Sequence, residues 1–507
     1  MGSAVVITAD FPSPSEQPPV RKRRRLDPKP HFKPDTTRQL DAISGCPTAF
    51  VPEGHLAWKV KAVLEKLDFS SLEAGYSSLG RQGYRPSHVV AVLVYGSLVG
   101  LHHSTKLARA LETDAALRLL SGGHSIAEGT LRRRRREWRA FFEDAIAQTV
   151  KIADEEGLLH LEELATDSMR LRAHASTSAV RTVKRSRERQ KELAAVDVSS
   201  LPEDERAKHE AKVKKHEEAL RECERRGSAS VVVTNELASL MKFPSGAGLP
   251  GHRVTVTAAG VKERLVVGFL VDGDPTDAGK LEAALTQARR VLCAAGVAPD
   301  AKCQVAADAG YWDEPTLRFC AENRDLYDVL INEKPTVLPH KHFTREQFQI
   351  LDDESAICPA GRRMMGPYPH HGGRILWLGV GCDECPLKEK CTSGKARSLT
   401  ANLELERARK SMQDRMQQDG ARGRYNQRVA TIEPVFSSIE DNQGYRRASS
   451  RKVSSVVAEV LLKLLAHNIS RLAAAGISCV LILELQVSTS GVTVTGIALK
   501  TLFRPTL

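Results

Sequence analysis

The sequence predicts an α/β protein whose core is a mixed sheet flanked by helices. The main observation is the order of hydrophobic patterns: a strand near residues 158–167, two strands at 252–275, and then helix, strand, helix and strand up to residue 332. Alternation of strands with helices of 10 to 20 residues is typical of α/β folds. The chain has 507 residues, of which 41% are hydrophobic and 27% charged, so it has enough apolar side chains for such a core.

Further patterns divide the chain into segments. Residues 51–157 read as helical, and a long amphipathic helix is expected at 452–472. We predict a disordered basic arm at 1–50, an all-helical domain at 51–157, an α/β core made of 158–349 and 396–475, a charged helical insertion at 180–226, a cysteine-bearing insertion at 350–395 and a C-terminal tail at 476–507.

The charge balance predicts an acidic partner. Lys and Arg number 74 against 62 Asp and Glu, which gives a net charge of +12, and nucleic acid is the commonest partner of such a chain. Aromatic residues are only 5%, which disfavours a single-strand binder that depends on stacking. Five consecutive arginines, Arg132 to Arg136, are expected on a helix, where they contact DNA phosphates or form a solvated face. Residues 21–25 form a second basic run, which is a flexible tail, an arm that contacts the DNA backbone or a nuclear-import signal.

A membrane protein is disfavoured, because the apolar stretches at 89–101 and 477–485 are shorter than the roughly 18–20 residues that span a bilayer. Six of the ten cysteines are scattered, which indicates a reducing compartment. The other four, Cys358, Cys382, Cys385 and Cys391, form a cluster that suits a structural Zn²⁺ ion, and His370 or His371 could replace one of them. The alternative is a set of free buried thiols.

Three acidic residues are candidates for catalysis. Asp167 and Asp308 end predicted strands, and Glu433 precedes Pro434, which is expected in the first turn of a helix. Three converging carboxylates would repel one another unless two Mg²⁺ ions neutralised them, and such a pair of ions supports phosphoryl transfer. With 62 acidic residues in the chain, the pattern alone also allows capping or surface carboxylates.

The residues around these acids resemble the motifs of the DDE-type transposases of bacterial insertion sequences, which have a ribonuclease H-like core. The resemblance runs from about residue 55 to about residue 472. The family's Asp-Gly-Thr-Lys and Ala-x-Ala-Ser are matched by Asp167-Ser168-Met169-Arg170 and Ala173-His174-Ala175-Ser176. Its Asp-x-Gly-Tyr is matched by Asp308-Ala309-Gly310-Tyr311, and its Glu motif by Tyr425, Arg428, Glu433, Pro434 and Phe436, with Gly444-Tyr445-Arg446-Arg447 and Leu465-Ala466-His467-Asn468 downstream.

The resemblance implies a transposase that binds terminal inverted repeats, hydrolyses the 3′ ends of the element and transfers the strand to target DNA. Asp167, Asp308 and Glu433 would be catalytic and would hold two Mg²⁺ ions, beside a possible structural zinc. The implied partner is double-stranded DNA, and the implied assembly is a homodimer or larger synaptic complex in the bacterial cytoplasm, associated with the nucleoid. The predicted DNA contacts are Arg132, Arg133, Arg135, Arg136, Tyr425, Arg428, Arg446 and Arg447.

The sequence departs from the family at three places. Ser168 stands where the family has Gly, Gly251-His252-Arg253 stands where relatives show Tyr-Asn, and Glu440 stands where the family usually has Lys. Two other functions therefore stay open: a non-catalytic DNA-binding remnant that represses its own element, and a metal-dependent nuclease without strand transfer. Trp312, beside the second motif, would stack on a flipped base or pack in the core.

Overall fold

A computed structural model describes residues 31–39, 47–77, 82–333, 342–477, 481–488 and 491–499, the last two ranges as backbone only. Arg21 to Arg25 lie outside these ranges. The chain divides into two compact units, which are described separately below. The first unit is made of Met1–Thr276, Ala283–Ala301 and Arg428–Leu507, and the second of Asp277–Glu282 and Lys302–Gln427.

The first unit begins with eight helices. They are α1 (Pro47–Phe50), α2 (Leu56–Leu64), α3 (Ser70–Glu73), α4 (Pro86–Leu98), α5 (Ser104–Thr113), α6 (Ala115–Leu120), α7 (Glu128–Glu137) and α8 (Arg139–Glu155). The sequence pattern predicts one helix over 104–119, but Asp114 divides it because its side chain accepts from the backbone N–H of Leu117 and starts α6. Gly122 and Gly123 have positive φ angles and end α6, as expected of a glycine cap.

A sheet and a helical hairpin follow. The elements are β1 (Leu164–Arg172), β2 (Val180–Thr182), α9 (Val183–Ala194), α10 (Glu203–Arg226), β3 (Ser230–Val232), β4 (Ser239–Lys242), β5 (Gly248–Ala259), β6 (Leu265–Asp272) and α11 (Leu281–Ala294). Pro202 immediately precedes α10, as expected of a residue that cannot continue a preceding helix. Gly227, with a φ angle of 58°, ends the helix in the left-handed conformation.

Strand β5 organises the sheet of the first unit. It pairs antiparallel with β1, with β6 and, at its beginning, with β4. The expectation that β1 ends at Asp167 is wrong: the ladder continues for five more residues, to the pair Arg172 and Gly251. Asp167 therefore lies inside a paired strand, opposite Val256. The ladder with β5 continues before and after this residue and holds its backbone in place.

The second unit contains a parallel strand pair and a small antiparallel region. Its elements are β7 (Cys303–Ala307), α12 (Glu314–Glu322), β8 (Tyr327–Ile331), β9 (Gln349–Ile350), β10 (Ala356–Ile357), β11 (Met365–His370), β12 (Arg374–Leu378), α13 (Lys388–Cys391), β13 (Ser398–Ala401) and α14 (Leu403–Met416). Strands β7 and β8 are parallel, whereas β11, β12 and β13 form an antiparallel sheet. Trp377 and Cys391 belong to a small hydrophobic core of this second region.

The remaining elements are α15 (Ala421–Ser437), α16 (Val453–Ala474), β14 (Leu481–Ser488) and β15 (Gly491–Leu499). Pro434 lies inside α15 and not in its first turn, so that prediction is wrong. Proline has no N–H for the carbonyl four residues earlier, that of Ala430. The Nε of Arg264 donates to this carbonyl at 3.1 Å, which compensates for the missing helical hydrogen bond.

Helix α16 is the buried core helix of the first unit. The amphipathic pattern predicts one buried face, but nearly all of the helix is buried, including Glu459, Lys463, His467 and Asn468. The side-chain oxygen of Asn468 accepts from the backbone N–H of Val266, and its amide donates to the Val266 carbonyl, so α16 is bonded directly to β6. By length and composition alone α16 could cross a membrane, yet it is enclosed by protein here.

The predicted α/β class is confirmed. Helices alternate with strands, and both antiparallel and parallel strand pairing occur. Strands β7 and β8 can pair in parallel because the helix α12 between them returns the chain to the end of the sheet at which β7 began. The sequence pattern predicts strands over 303–308 and 327–332, and each is observed one residue shorter, as β7 and β8.

Candidate active site and cysteine cluster

Asp167 forms the centre of the polar site in the first unit. Its Oδ2 accepts a hydrogen bond of 2.6 Å from Nη1 of Arg428, and its Oδ1 accepts from the backbone N–H of Ser168 at 2.7 Å. The side chain of Asp167 is 22% exposed and that of Arg428 is 12% exposed. Strand β1 is thus in direct contact with α15, the helix that carries Glu433.

Two of the sequence departures near Asp167 contact each other. Nη1 of Arg253 donates to the hydroxyl of Ser168. The same buried guanidinium donates to the carbonyls of Asp274 and Pro275, in the loop after β6. A glycine at position 168 would offer no hydroxyl, so Ser168 and Arg253 form a matched pair that supports the backbone beside Asp167.

Glu433 and Glu440 differ in their exposure. Glu433 is exposed on α15, and Glu440 is half-buried in the π-helical turn Ser438–Asn442 that follows. Burial raises the pKa of Glu440, an effect that Arg446 opposes and Asp441 reinforces. An acidic residue in this place reduces the positive charge that the family's usual lysine would provide.

Asp308 lies in the second unit, immediately after β7. Its Oδ2 accepts from the N–H of Gly310 at 3.3 Å, which closes a tight turn. A side chain at Gly310 would lie 3.3 Å from Oδ2 of Asp277 and 3.5 Å from Oδ2 of Asp308. The two carboxylates thus border the same space, and the sequence analysis missed Asp277. Its position in the segment GDPTD, between the buried strand β6 and α11, is the signal that could have revealed it. The neighbouring Trp312 is half-buried.

The predicted DNA contacts differ in their exposure. On α7, Arg132, Arg133 and Arg136 are exposed, but Arg135 is buried and donates to the His102 carbonyl at 2.7 Å. The expectation that Arg135 faces DNA is therefore wrong, because one face of this helix must pack on the protein. Arg446 and Arg447 are exposed, and Tyr425 is half-buried.

The four clustered cysteines line one cavity in the second unit. They are Cys358, Cys382, Cys385 and Cys391, and all of them are free thiols. Burial raises the pKa of Cys391; Arg397 opposes this effect, and the other three thiols add to it. His370 and His371 are exposed and do not line this cavity.

Ligating geometry is not formed at either candidate metal site. Within the described ranges, no three His, Cys, Asp or Glu side chains are grouped closely enough to hold an ion. The donor types nevertheless fit the expected ions, because carboxylate oxygens suit Mg²⁺ and thiolates suit Zn²⁺.

Comparison with protein families defines the class of the protein. Residues 46–137 match a family described as Transposase domain (DUF772), and residues 357–473 match a family described as Transposase DDE domain. Both matched segments are therefore similar to transposase domains. The two matches together indicate an insertion-sequence DDE transposase, which confirms the resemblance carried by the motifs. The second match includes Glu433 and the four clustered cysteines, whereas Asp167 and Asp308 lie outside both. No curated protein and no solved structure matches the chain.

Proposed function

We propose that this transposase binds the terminal inverted repeats of its insertion sequence and catalyses both hydrolysis at the 3′ ends and strand transfer. In the first reaction water attacks the phosphorus of the terminal phosphodiester, and the 3′ oxygen leaves as a hydroxyl. In the second, that hydroxyl attacks a phosphodiester of the target strand, whose own 3′ oxygen leaves. The observation that carries the proposal is the contact between β1 and α15 made by Arg428 and Asp167. It brings together the two elements that bear Asp167 and Glu433.

Asp167, Asp308 and Glu433 are the proposed catalytic residues, on a ribonuclease H-like core, and would hold two Mg²⁺ ions. Bound Mg²⁺ would supply activation of the attacking oxygen and charge neutralisation at the leaving oxygen. In the first unit Arg428 balances the charge of Asp167, while the N–H of Ser168 and the support from Arg253 fix the carboxylate. A carboxylate held in one position before DNA binds needs less reorganisation during the reaction.

The proposed DNA surface combines several exposed cations. Arg132, Arg133 and Arg136 project from α7, and Arg446 and Arg447 follow the π-helical turn. Guanidinium groups neutralise phosphates, so binding to double-stranded DNA should weaken steeply as the salt concentration rises. Two element ends must be joined, which requires a homodimer or a larger synaptic assembly. Such a protein would act in the bacterial cytoplasm, at the nucleoid.

The test is the variant Asp308→Asn, which removes a negative charge but keeps the shape of the side chain. We expect it to abolish cleavage of a duplex that carries the element's end, in the presence of Mg²⁺, while leaving binding of that duplex unchanged. Glu322→Gln, in α12 of the same unit, is the control and should cleave normally. Full cleavage by Asp308→Asn would refute the catalytic assignment.

One observation favours a second function, that of a non-catalytic remnant that represses its own element. Arg428 and the N–H of Ser168 use both oxygens of Asp167, and this pairing could persist when DNA binds. Incubation of supercoiled donor DNA with Mn²⁺ separates the two functions. Binding without nicks would support the repressor, and nicks at the element's ends would exclude it.

We further propose that Cys358, Cys382, Cys385 and Cys391 hold a structural Zn²⁺ ion. The support is their common cavity, their free state and their place at the small core that contains Trp377. We expect about one zinc per chain by elemental analysis of the purified protein, as four protein ligands imply. Cys382→Ser should lose it, whereas Cys223→Ser, a buried thiol on α10, should keep it. Absence of zinc from the parent protein would contradict the proposal.

A further inference from the structure

A basic pocket lies at the end of β1, in the first unit. It has a volume of about 420 Å³ and is lined by three arginines, Arg172, Arg447 and Arg451, together with His174 and the hydroxyl-bearing Ser176 and Thr177. No acidic residue lines it. None of the three guanidinium groups forms an ion pair with any part of the chain that the structure describes. Three cations that converge without a counter-charge repel one another, so the pocket is suited to an anion.

The backbone sets the position of two of these arginines. Residues 172 and 447 form a parallel bridge: the N–H of Arg172 donates to the Arg446 carbonyl at 3.3 Å, and the N–H of Ala448 donates to the Arg172 carbonyl at 2.8 Å. Bridged residues project to the same side of a sheet, so their side chains are neighbours. The Nε of Arg447 also donates to the Ala173 carbonyl at 3.3 Å. The arrangement is therefore built into the fold at this point.

We propose that this pocket binds backbone phosphates of the DNA that the transposase holds. The inference rests on the proposed function for its choice of DNA. Arg172 lies five residues after Asp167 on one paired strand, so the two backbone positions are at most about 17 Å apart. Side chains alternate between the faces of a strand, so those of Asp167 and Arg172 project to opposite faces of β1. The pocket would therefore bind phosphates away from the cleaved bond and fix the position of the DNA without reading its sequence.

The experiment measures the salt dependence of binding to a generic 30-base-pair duplex without divalent ions. Its readout is independent of cleavage. The triple variant Arg172→Gln, Arg447→Gln, Arg451→Gln should reduce the magnitude of the slope of log K against log salt by about 2.7, or about 0.9 for each phosphate contact that is lost. The matched control is Lys61→Gln, Arg189→Gln, Arg225→Gln, which removes the same charge from three exposed cations. Each of these is paired with a glutamate of its own helix, and the slope should change by less than 1.

A charge-retaining variant separates binding from folding. Replacement of the three pocket arginines by lysine should restore most of the slope, because lysine also neutralises a phosphate. Equal slopes in the pocket variant and the control variant would overturn the proposal, as would a slope lost in the glutamine variant but not restored by lysine.

A second arm distinguishes DNA from a free phosphate ligand. Inorganic phosphate is titrated calorimetrically into the parent protein and the glutamine variant. Saturable binding of phosphate that the variant loses, together with an unchanged DNA slope, would assign the pocket to a small phosphate ligand and overturn the proposal. A lowered DNA slope supports it even if Asp308→Asn still cleaves, which would refute only the catalytic assignment.

Discussion

Two arginine–carboxylate pairs of the first unit have the same chemistry but differ in how deeply the carboxylate is buried. Arg428 and Asp167 are joined at 2.6 Å and keep 12% and 22% of their side chains exposed. Arg135 and Glu459 are 3.6 Å apart, with 10% and 2% exposed. The first pair lies where β1 meets α15, and the second joins α7 to the core helix α16.

The partners of the two carboxylates explain the difference. Glu459 accepts from the hydroxyls of Tyr445, Ser449 and Ser450 and from the N–H of Ser449. Burial alone would raise the pKa of Glu459, but Arg135 and these hydrogen bonds outweigh burial and hold the pKa below its usual range. Glu459 is thus fully satisfied by protein and serves structure. Asp167 remains accessible to solvent. Its carboxylate can therefore exchange a protein hydrogen bond for a bound ligand.

The largest expected effect comes from Asp167→Asn. If Asp167 is catalytic, cleavage of an end-bearing duplex should fall to about 1 part in 10⁴ or less, which is the scale on which removing one member of a catalytic set acts. The free energy of unfolding, measured by urea denaturation, should fall by less than the about 3–5 kcal/mol that breaking a fully buried pair costs, because Asp167 is 22% exposed. Normal cleavage by Asp167→Asn would show that the pair of Arg428 and Asp167 is structural, like the pair of Arg135 and Glu459.

Glu459→Gln should have the reverse outcome. It leaves Arg135 buried without a charge partner, and breaking a buried pair costs about 3–5 kcal/mol. We expect the free energy of unfolding to fall by that amount, while cleavage per folded molecule stays the same. Glu224→Gln, on the exposed face of α10, is the control and should unfold like the parent protein. A stable Glu459→Gln variant would contradict the structural role.

Lys463→Met tests a second cation that is buried near Glu459 and Arg135. Burial, with repulsion from Arg135, lowers the pKa of Lys463 from 10.5 to about 7, although Glu459 opposes the shift. The unfolded chain then binds a proton that the folded chain does not bind between these two values, so parent stability should rise with pH from about 7 towards 10.5.

In the methionine variant this rise should disappear. Its free energy of unfolding should exceed that of the parent by about 1–4 kcal/mol, because replacing a buried charge by an apolar side chain is often stabilising. The difference should be greatest at or below pH 7, where the folded parent keeps Lys463 charged. Denaturant titrations at about pH 6.5 and about pH 9.5 measure it. Parallel pH profiles for the two proteins would show that Lys463 keeps its proton when folded.

The smallest expected effect is on DNA affinity. Glu440→Lys would restore the basic residue that the family usually has, and we expect it to raise the salt slope of duplex binding by about 0.9, one phosphate contact. Glu440→Gln removes the acid without adding a cation and should give a smaller increase. Equal slopes in all three proteins would place position 440 away from DNA.

The local structure around a candidate residue was predictable where a motif fixes a short stretch of chain. Asp308 with Gly310 is such a case, because Asp308 directly follows β7 and accepts from the N–H of Gly310 in a tight turn. The partnership of Ser168 with Arg253 was not predictable: each looks like an isolated departure from the family, and only the antiparallel pairing of β1 with β5 brings them together. The same holds for Arg428, whose partner lies 261 residues earlier in the chain.

The sequence by itself determined the α/β class, the positions of most helices and strands, and the transposase resemblance, because these depend on local periodicity and short motifs. Only the tertiary structure decided which charges are buried. Arg135 is buried while Arg132, Arg133 and Arg136 are exposed, and Pro434 is accepted inside α15 because Arg264 supplies the missing donor. The physical reason is that desolvation depends on what packs against a side chain, and those neighbours come from distant parts of the chain.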